Sequence, residues 1–278
     1  MANHMANGHS NGIHSGTTLD KLPKSNVFTS NLPPDSQYPT PEASHAAPRE
    51  RLGPRMVKEA LYTYVRPEPT EEPELLAVSK RALKDLGLSE SEASSDLLKE
   101  VVAGNKVFWD EKNGGVYPWA QCYGGFQFGS WAGQLGDGRA ISLFEGTNPD
   151  TGVRYEWQLK GAGKTPYSRF ADGKAVLRSS IREFVVSEYL NALGIPTTRA
   201  LSLTLCPKSQ VSRERVEPGA IVCRFAQSWL RFGTFDLMRS RGDRGLIRRT
   251  ATYVAEQAFG GWDKLPARVE IKEGGSAT

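Results

Sequence analysis

Lys160 closes an alternating run, Arg154–Leu159, and Glu183 follows beside the apolar residues Ile181, Phe184 and Val185. A lysine at a strand end, oriented by a carboxylate from the next helix, is how phosphoryl-transfer enzymes hold phosphate oxygens. Glu188 on the same predicted helix is a second possible partner. The plainer alternative is a solvated Lys160, with Glu183 paired to Arg182. Gly136-Asp137-Gly138-Arg139 precedes another strand-like run. Two glycines one residue apart permit a tight turn with N–H groups aimed at an anion, and Arg139 adds a forked donor suited to phosphate. The glycine spacing and the missing Lys-Ser/Thr ending exclude a Walker loop and a dinucleotide fingerprint. Taken alone, the segment is a weak signal and reads more readily as a tight β-turn with a surface arginine.

Asp172-Gly173 is a second turn, able to bring a carboxylate and a backbone N–H to a base or ribose, although an isolated Asp-Gly is commonly a plain turn. Arg224 stands inside the apolar run Ala220–Phe225, where a charge needs a partner or a ligand. Arg231 follows shortly after, opening Arg-Phe-Gly. Convergence of both arginines on a polyphosphate, or ion pairing with Glu214, Glu217 or Asp236, are the two readings. Cys122, Cys206 and Cys223 stand singly, so they suggest neither a disulfide framework nor a metal knuckle. No histidine follows His45. Cys122 therefore has no imidazole near it in sequence to activate it, and a histidine-based metal site in the body is not expected.

The elements that must position these residues belong to a chain of 278 residues, long enough for one large domain or two small ones. Only 38% of it is apolar, and 28 glycines and 17 prolines imply a loop-rich fold. Residues 1–159 carry a net charge of −5 and residues 160–278 one of +9, mostly from arginine. The second part thus attracts anionic groups such as phosphates. It lacks a dense Lys/Arg run interleaved with aromatics, so nucleic acid is not an expected partner. No apolar window is long enough to span a membrane, and the N-terminus has no secretory core. Mitochondrion and cytoplasm both remain open, because no acidic residue precedes Asp20 but no arginine precedes Arg49.

Residues 1–20 read as a disordered tail. Residues 21–115 read as a proline-rich arm, either a linker or a ribbon wrapping the domain through Val27, Phe28, Leu32 and Tyr38, followed by a helical extension. Helices are predicted over Glu74–Leu88 and Ser91–Val102. Residues 116–240 read as a nucleotide-binding lobe. It has strands at Ala140–Glu145, Arg154–Leu159, Arg199–Leu205 and Ala220–Phe225. Its best helix spans about Ala175 to Leu193 and ends at Gly194 before Pro196. Helices are also predicted over Trp229–Met238 and Ile247–Ala258. Residues 241–278 read as the start of a further helical region and an irregular tail.

Together these segments resemble one family, the kinase-like protein adenylyltransferases called selenoprotein O. The resemblance runs from about Leu22 to Met238. It is carried by SNVFTSNLPPD, ELLAVS, QFGSWAGQLGDGRAI, LKGAGKTPYSRFADGKAVLRSSIREF, SEYLNALGIPTTRAL and LRFGTF. The resemblance implies an α+β fold: the N-terminal lobe of a protein-kinase-like fold with a mixed β-sheet and packed helices, its second lobe incomplete. It implies ATP bound in a flipped orientation, AMP transfer to Ser, Thr or Tyr hydroxyls of proteins, and Mg2+ or Mn2+ in the complete enzyme. Carried onto this sequence, Gly136, Gly138 and Arg139 belong to the nucleotide site. Lys160 holds phosphate with Glu183 as its partner, Asp172 and Gly173 are further contacts, and Arg224 and Arg231 complete the phosphate pocket.

Two departures matter. Phe126 stands where the family commonly has histidine. The family's catalytic Asp-Asn pair, its metal-binding Asp-Tyr-Gly and its C-terminal redox cysteine or selenocysteine are not found after Met238. The chain therefore reads as an N-terminal portion that binds nucleotide with little or no turnover and has no metal ligands of its own. The alternatives are a protein kinase using the same lysine–glutamate pair, or a truncated nucleotide-binding or interaction protein without catalysis.

Overall fold

The computed structural model describes residues 16–265. Most of the predicted tail, residues 1–15, and the irregular end from residue 266 lie outside the described residues. From Gly16 onward the chain packs: Leu19 is fully buried, and Thr17 bridges to Leu88.

The strands are β1 (Lys24–Ser25), β2 (Tyr62–Tyr64), β3 (Glu74–Val78), β4 (Trp109–Asp110), β5 (Gly114–Gly115), β6 (Trp119–Gln127), β7 (Ser130–Gly136), β8 (Ala140–Thr147), β9 (Arg154–Lys160), β10 (Ala175–Val176), β11 (Arg199–Ser212) and β12 (Val216–Ala226). The helices are α1 (Val27–Asn31), α2 (Pro41–Ala46), α3 (Lys80–Asp85), α4 (Asp96–Val102), α5 (Leu177–Ala192), α6 (Phe232–Ser240) and α7 (Arg244–Tyr253).

Ten strands form one sheet whose main path runs β2-β6-β8-β9-β12-β11-β3, and β4 and β5 form a separate ribbon. The predicted mixed sheet is corrected here, because every ladder between named strands is antiparallel. Turns such as Asn148–Gly152 connect consecutive strands, and a short turn can only return the chain antiparallel. Asn148 builds that turn: its side-chain oxygen accepts from Asp150 N at 2.8 Å, and its amide donates to Asp85 O.

The sequence predicts one helix over Glu74–Leu88, but the chain forms β3 and then α3. Ser79 sits between them, its hydroxyl accepting from Ala82 N at 3.1 Å and starting the helix. Ser95 does the same for α4. The glycine- and aromatic-rich segment before Arg139, for which the sequence suggests no strand, is the β6–β7 hairpin. The predicted Ile247–Ala258 helix begins earlier, at Arg244, where Asp243 accepts from Leu246 N, and it ends in a π-turn over Val254–Ala258.

The proline-rich arm wraps the domain. Phe28 is completely buried, 5.8 Å from Trp119 in a stacked arrangement and edge-on to Tyr253. Glu145 fixes it by accepting the backbone N–H groups of Val27 and Phe28 at 2.7 and 2.8 Å. The extension also supplies β2 and β3, the two ends of the sheet path.

The apolar stripe of α5 faces the sheet only in part. Leu177 and Phe184 pack against Ala200, Leu203, Ala220 and Val222, whereas Ile181, Val185, Tyr189 and Leu193 are exposed. The sheet-facing side is shared with Glu183 and Glu188. Each meets a cation on the sheet: Lys160 and Arg224 for the first, Arg199 for the second.

Candidate nucleotide-binding site

Strand β9 presents Tyr155, Trp157 and Leu159 to one side and Glu156, Gln158 and Lys160 to the other. Lys160 ends the strand, and its ammonium contacts the Glu183 carboxylate of α5 at 2.5 Å. Of the two glutamates the sequence offers, Glu183 takes this place. Glu188 instead accepts from Arg199 and from Ser79 Oγ. Burial pushes the Lys160 ammonium below its ordinary value, as do Arg224 and Arg139, while Glu183 opposes the shift. Burial raises the Glu183 carboxyl, but Lys160 and Arg224 outweigh that and hold it below the usual range.

Arg224 lies opposite Gln158 where β12 pairs with β9. It donates to Glu183 at 3.0 Å and to Gln158 through Nε and Nη2. Its guanidinium rests 4.5 Å from the Trp229 ring centre. Arg231 stacks on Tyr123 at 4.2 Å and approaches the buried Asp137 carboxylate at 3.5 Å. Burial raises the Asp137 carboxyl; Arg231, the Gln121 N–H and Arg224 oppose it. The partners Glu217 and Asp236, considered from sequence, are engaged elsewhere, with Arg178 and Arg239.

The turn Gly136–Arg139 closes the cleft from above. A Cβ at Gly136 would lie 2.4 Å from the Tyr167 ring, so only glycine fits there. Thr165 and Ser168 clamp the turn by donating to the carbonyls of Asp137 and Gly138. From sequence the turn's N–H groups aim at an anion, and the structure corrects this for two of them. That of Asp137 donates to Gln121 O and that of Gly138 to Gly136 O. Its contribution is therefore shape and the exposed Arg139, which makes no side-chain hydrogen bond or ion pair among the described residues.

Asp172 and Gly173 form the opposite lip. Gly173 has φ +74, and a Cβ would lie 2.2 Å from the Gly163 carbonyl carbon. Both Asp172 oxygens accept from Arg213, at 2.8 and 3.0 Å, which holds that carboxyl below its usual range.

Gly136, Gly138, Arg139 and Lys160 thus share one cleft of about 440 Å3 with Asp172, Gly173, Arg224 and Arg231. Glu183 lines the adjoining hollow behind Lys160. Lys174, Arg213, Tyr123 and Asp137 also line the cleft but are absent from the sequence assignment. A signal for the polar floor was present. In Arg154–Lys160 the residues alternating with the apolar ones are Glu, Gln and Lys, and Glu156 and Gln158 are as buried as the apolar set. A strand with a polar face inside the protein marks a site or a buried network.

The arrangement suits a polyphosphate: six basic side chains, Arg139, Lys160, Lys174, Arg213, Arg224 and Arg231, border a cleft whose carboxylates are already engaged, Asp172 by Arg213 and Asp137 by Arg231. Among the described residues no group of three His, Cys, Asp or Glu side chains converges to hold one. Cys122 is buried with its thiol pushed up to about 12 by burial, which leaves no thiolate for nucleophilic attack near neutral pH.

Residues 51–268 match the sequence profile of the family described as protein adenylyltransferase SelO. The chain is 51% identical over 251 residues to "Protein adenylyltransferase SelO, mitochondrial" of Schizosaccharomyces pombe, an alignment covering 88% of this chain and 44% of that protein. It is 50% identical over 213 residues to "Protein nucleotidyltransferase YdiU" of Azoarcus, covering 74% and 40%. The like-named protein of Xanthomonas campestris is 52% identical over 206 residues, covering 72% and 39%. The chain therefore spans less than half the length of these relatives.

Proposed function

This chain belongs to the protein adenylyltransferase SelO family, and from that premise we propose that it is the nucleotide-gripping part of an enzyme that transfers AMP from ATP to hydroxyl side chains of other proteins. The observation carrying this reading is the basic cleft in which Lys160, held by Glu183, faces one space with Arg224, Arg231 and Arg139, the last without a side-chain partner among the described residues. Such charges compensate a triphosphate and the charge that develops when its bridging bond breaks. Identity of about half with relatives named adenylyltransferase and nucleotidyltransferase supports AMP rather than phosphate as the transferred group.

A kinase-like lobe is part of the proposal. Its support is the path β6-β8-β9-β12-β11, with the lysine at the end of β9 and its glutamate on the helix between β9 and β11. ATP, accepted in the flipped orientation, is the proposed cosubstrate, and the partners are proteins bearing Ser, Thr or Tyr hydroxyls. The family's Mg2+ or Mn2+ finds no cluster of three ligating side chains among the described residues. Glu183 is committed to two cations, Asp172 to Arg213 and Asp137 to the cleft floor, which leaves no general base among them. These residues therefore bind ATP without turning it over at an enzymatic rate. Mitochondrion or cytoplasm is the proposed compartment, the former supported by the name of the fission-yeast relative. No helix of the described residues is long and apolar enough to cross a membrane.

Calorimetry with ATP tests the grip, and intact-mass analysis of an acceptor protein tests the reaction. A gain of about 329 Da marks AMP and one of about 80 Da marks phosphate, as each modification adds its own group. Absence of ATP binding to the purified chain would overturn the site. Turnover at an enzymatic rate by the chain alone would overturn the assignment of binding without catalysis.

A further inference from the structure

We infer that Gln158 is a positioning residue that aims Arg224 at the nucleotide's phosphates while leaving its charge uncancelled, an inference that rests on the nucleotide reading of the cleft. Gln158 is fully buried on β9, two positions before Lys160. Its Oε1 accepts from Arg224 Nε at 3.0 Å and from Nη2 at 2.5 Å. Its amide nitrogen donates at 3.3 Å to Asp137 Oδ2 and at 3.3 Å to Ser142 Oγ. This orientation is chemically determined. Turned over, the amide would set N–H against the guanidinium donors and oxygen against the Asp137 carboxylate.

A guanidinium has five N–H donors. Gln158 takes two along the Nε–Nη2 side, and Glu183 takes one from Nη1 at 3.0 Å. One N–H on each terminal nitrogen is left, and a pair of that kind is what a phosphate accepts bidentately. Trp229 lies against the guanidinium and holds its plane. Arg224 would otherwise lose rotamer freedom on each binding event.

The neutrality of the anchor matters as much as its shape. A carboxylate in the place of Gln158 would accept the same two N–H groups but cancel the arginine's charge beside an anionic ligand. Glu183 already offsets Lys160 and Arg224 together. The carboxylate closest to Gln158, that of Asp137, is engaged by Arg231, the Gln121 N–H and the Gln158 amide itself. Charge thus enters the cleft floor only where another cation or a donor meets it.

The test measures ATP and adenosine affinities, by calorimetry and ligand-detected NMR, for the wild-type chain, Gln158→Leu, Arg224→Gln and the double variant. Gln158→Leu is expected to weaken ATP by about tenfold or more, the scale of losing a hydrogen bond to a charged group, and to leave adenosine unchanged. In the Arg224→Gln background Gln158→Leu should add nothing, because it acts through that arginine. Equal losses for ATP and adenosine, or additive losses in the double variant, would show a merely structural role and overturn the inference. Should Gln158→Leu not fold, Gln158→Glu keeps the shape, and ATP binding as tight as wild type would likewise overturn it. A wild-type chain that binds no ATP refutes the nucleotide reading itself and the inference with it.

Discussion

The Lys160 ammonium and the Glu183 carboxylate meet at 2.5 Å, joining the end of a strand to the sheet-facing side of a helix that leaves Ile181, Val185, Tyr189 and Leu193 exposed on its outside. Arg224 shares the same glutamate. One carboxylate thus holds two cations at the cleft, and it can do so only because α5 turns its two glutamates, Glu183 and Glu188, toward the sheet.

Replacing Lys160 by methionine removes the central cation with little change in volume. We expect ATP affinity to fall about tenfold or more, as for other charge-assisted contacts, with the melting temperature nearly unchanged. Calorimetry alongside a thermal melt separates the two, and undiminished ATP affinity would remove Lys160 from the site.

Two carboxyls, the half-buried Glu183 and the buried Glu156, respond to pH with opposite sign. Glu183 lies below its ordinary value, so its stabilising contribution is present above the unfolded value and lost as pH falls through the folded one. Glu156 is pushed well above its ordinary value by burial and by Glu145. Its contribution is present below the unfolded value and lost as pH rises through the folded one. Glu156→Gln, isosteric and unable to ionise, should therefore raise the melting temperature at neutral and alkaline pH by about 3 °C, on the scale of 1 kcal/mol for a domain of this size. It should flatten the decline with rising pH. A variant whose stability follows wild type across that range would contradict the assignment.

Phe28→Ala opens a cavity between Trp119, Tyr62 and Tyr253. A loss of about 3–5 kcal/mol is expected for a buried phenylalanine, large against the marginal stability of a domain. Denaturant unfolding measures it. A loss under about 1 kcal/mol would mean that the arm contributes little to the core.

Gly173→Ala should loosen the lip of the cleft, since the added carbon meets the Gly163 backbone in a left-handed turn. Limited proteolysis is expected to cut the segment around Lys164–Lys174 sooner in the variant. Unchanged cleavage there would show that the turn accommodates a side chain.

Val185→Lys and Tyr189→Lys change residues 55% and 61% exposed on α5. We expect stability within roughly 0.5 kcal/mol of wild type and less self-association, since an exposed apolar stripe promotes contact between molecules. Light scattering at rising concentration checks this. A large loss of stability would place these side chains in the core instead.

Local rules made much of the site legible. Alternation located β8, β9, β11 and β12, and the Gly194-Pro196 stop ended α5 close to its observed end. Where two local signals competed, the reading failed. Glu74–Leu88 carries leucines at helical spacing, yet its first third, Glu74–Val78, pairs with β11 as an edge strand. The hairpin of β6 and β7 was hidden by its glycines, which depress strand propensity but here allow Gly124 to lie under Trp131.

By itself the sequence determined which residue types are available for phosphate chemistry: a strand-end lysine, a helix glutamate, a glycine turn and two arginines in order. Those depend on short spacings, where geometry follows from the chain's own period. Only the tertiary structure decided which partners meet: Lys160 with Glu183 rather than Arg182 with Glu183, Arg224 with Gln158, Asp172 with Arg213. It also decided that α5 turns Glu183 and Glu188 inward and most of its apolar stripe, Ile181, Val185, Tyr189 and Leu193, outward. Such pairings depend on strand register and helix rotation, which are set by packing across the whole sheet, and no local pattern contains them.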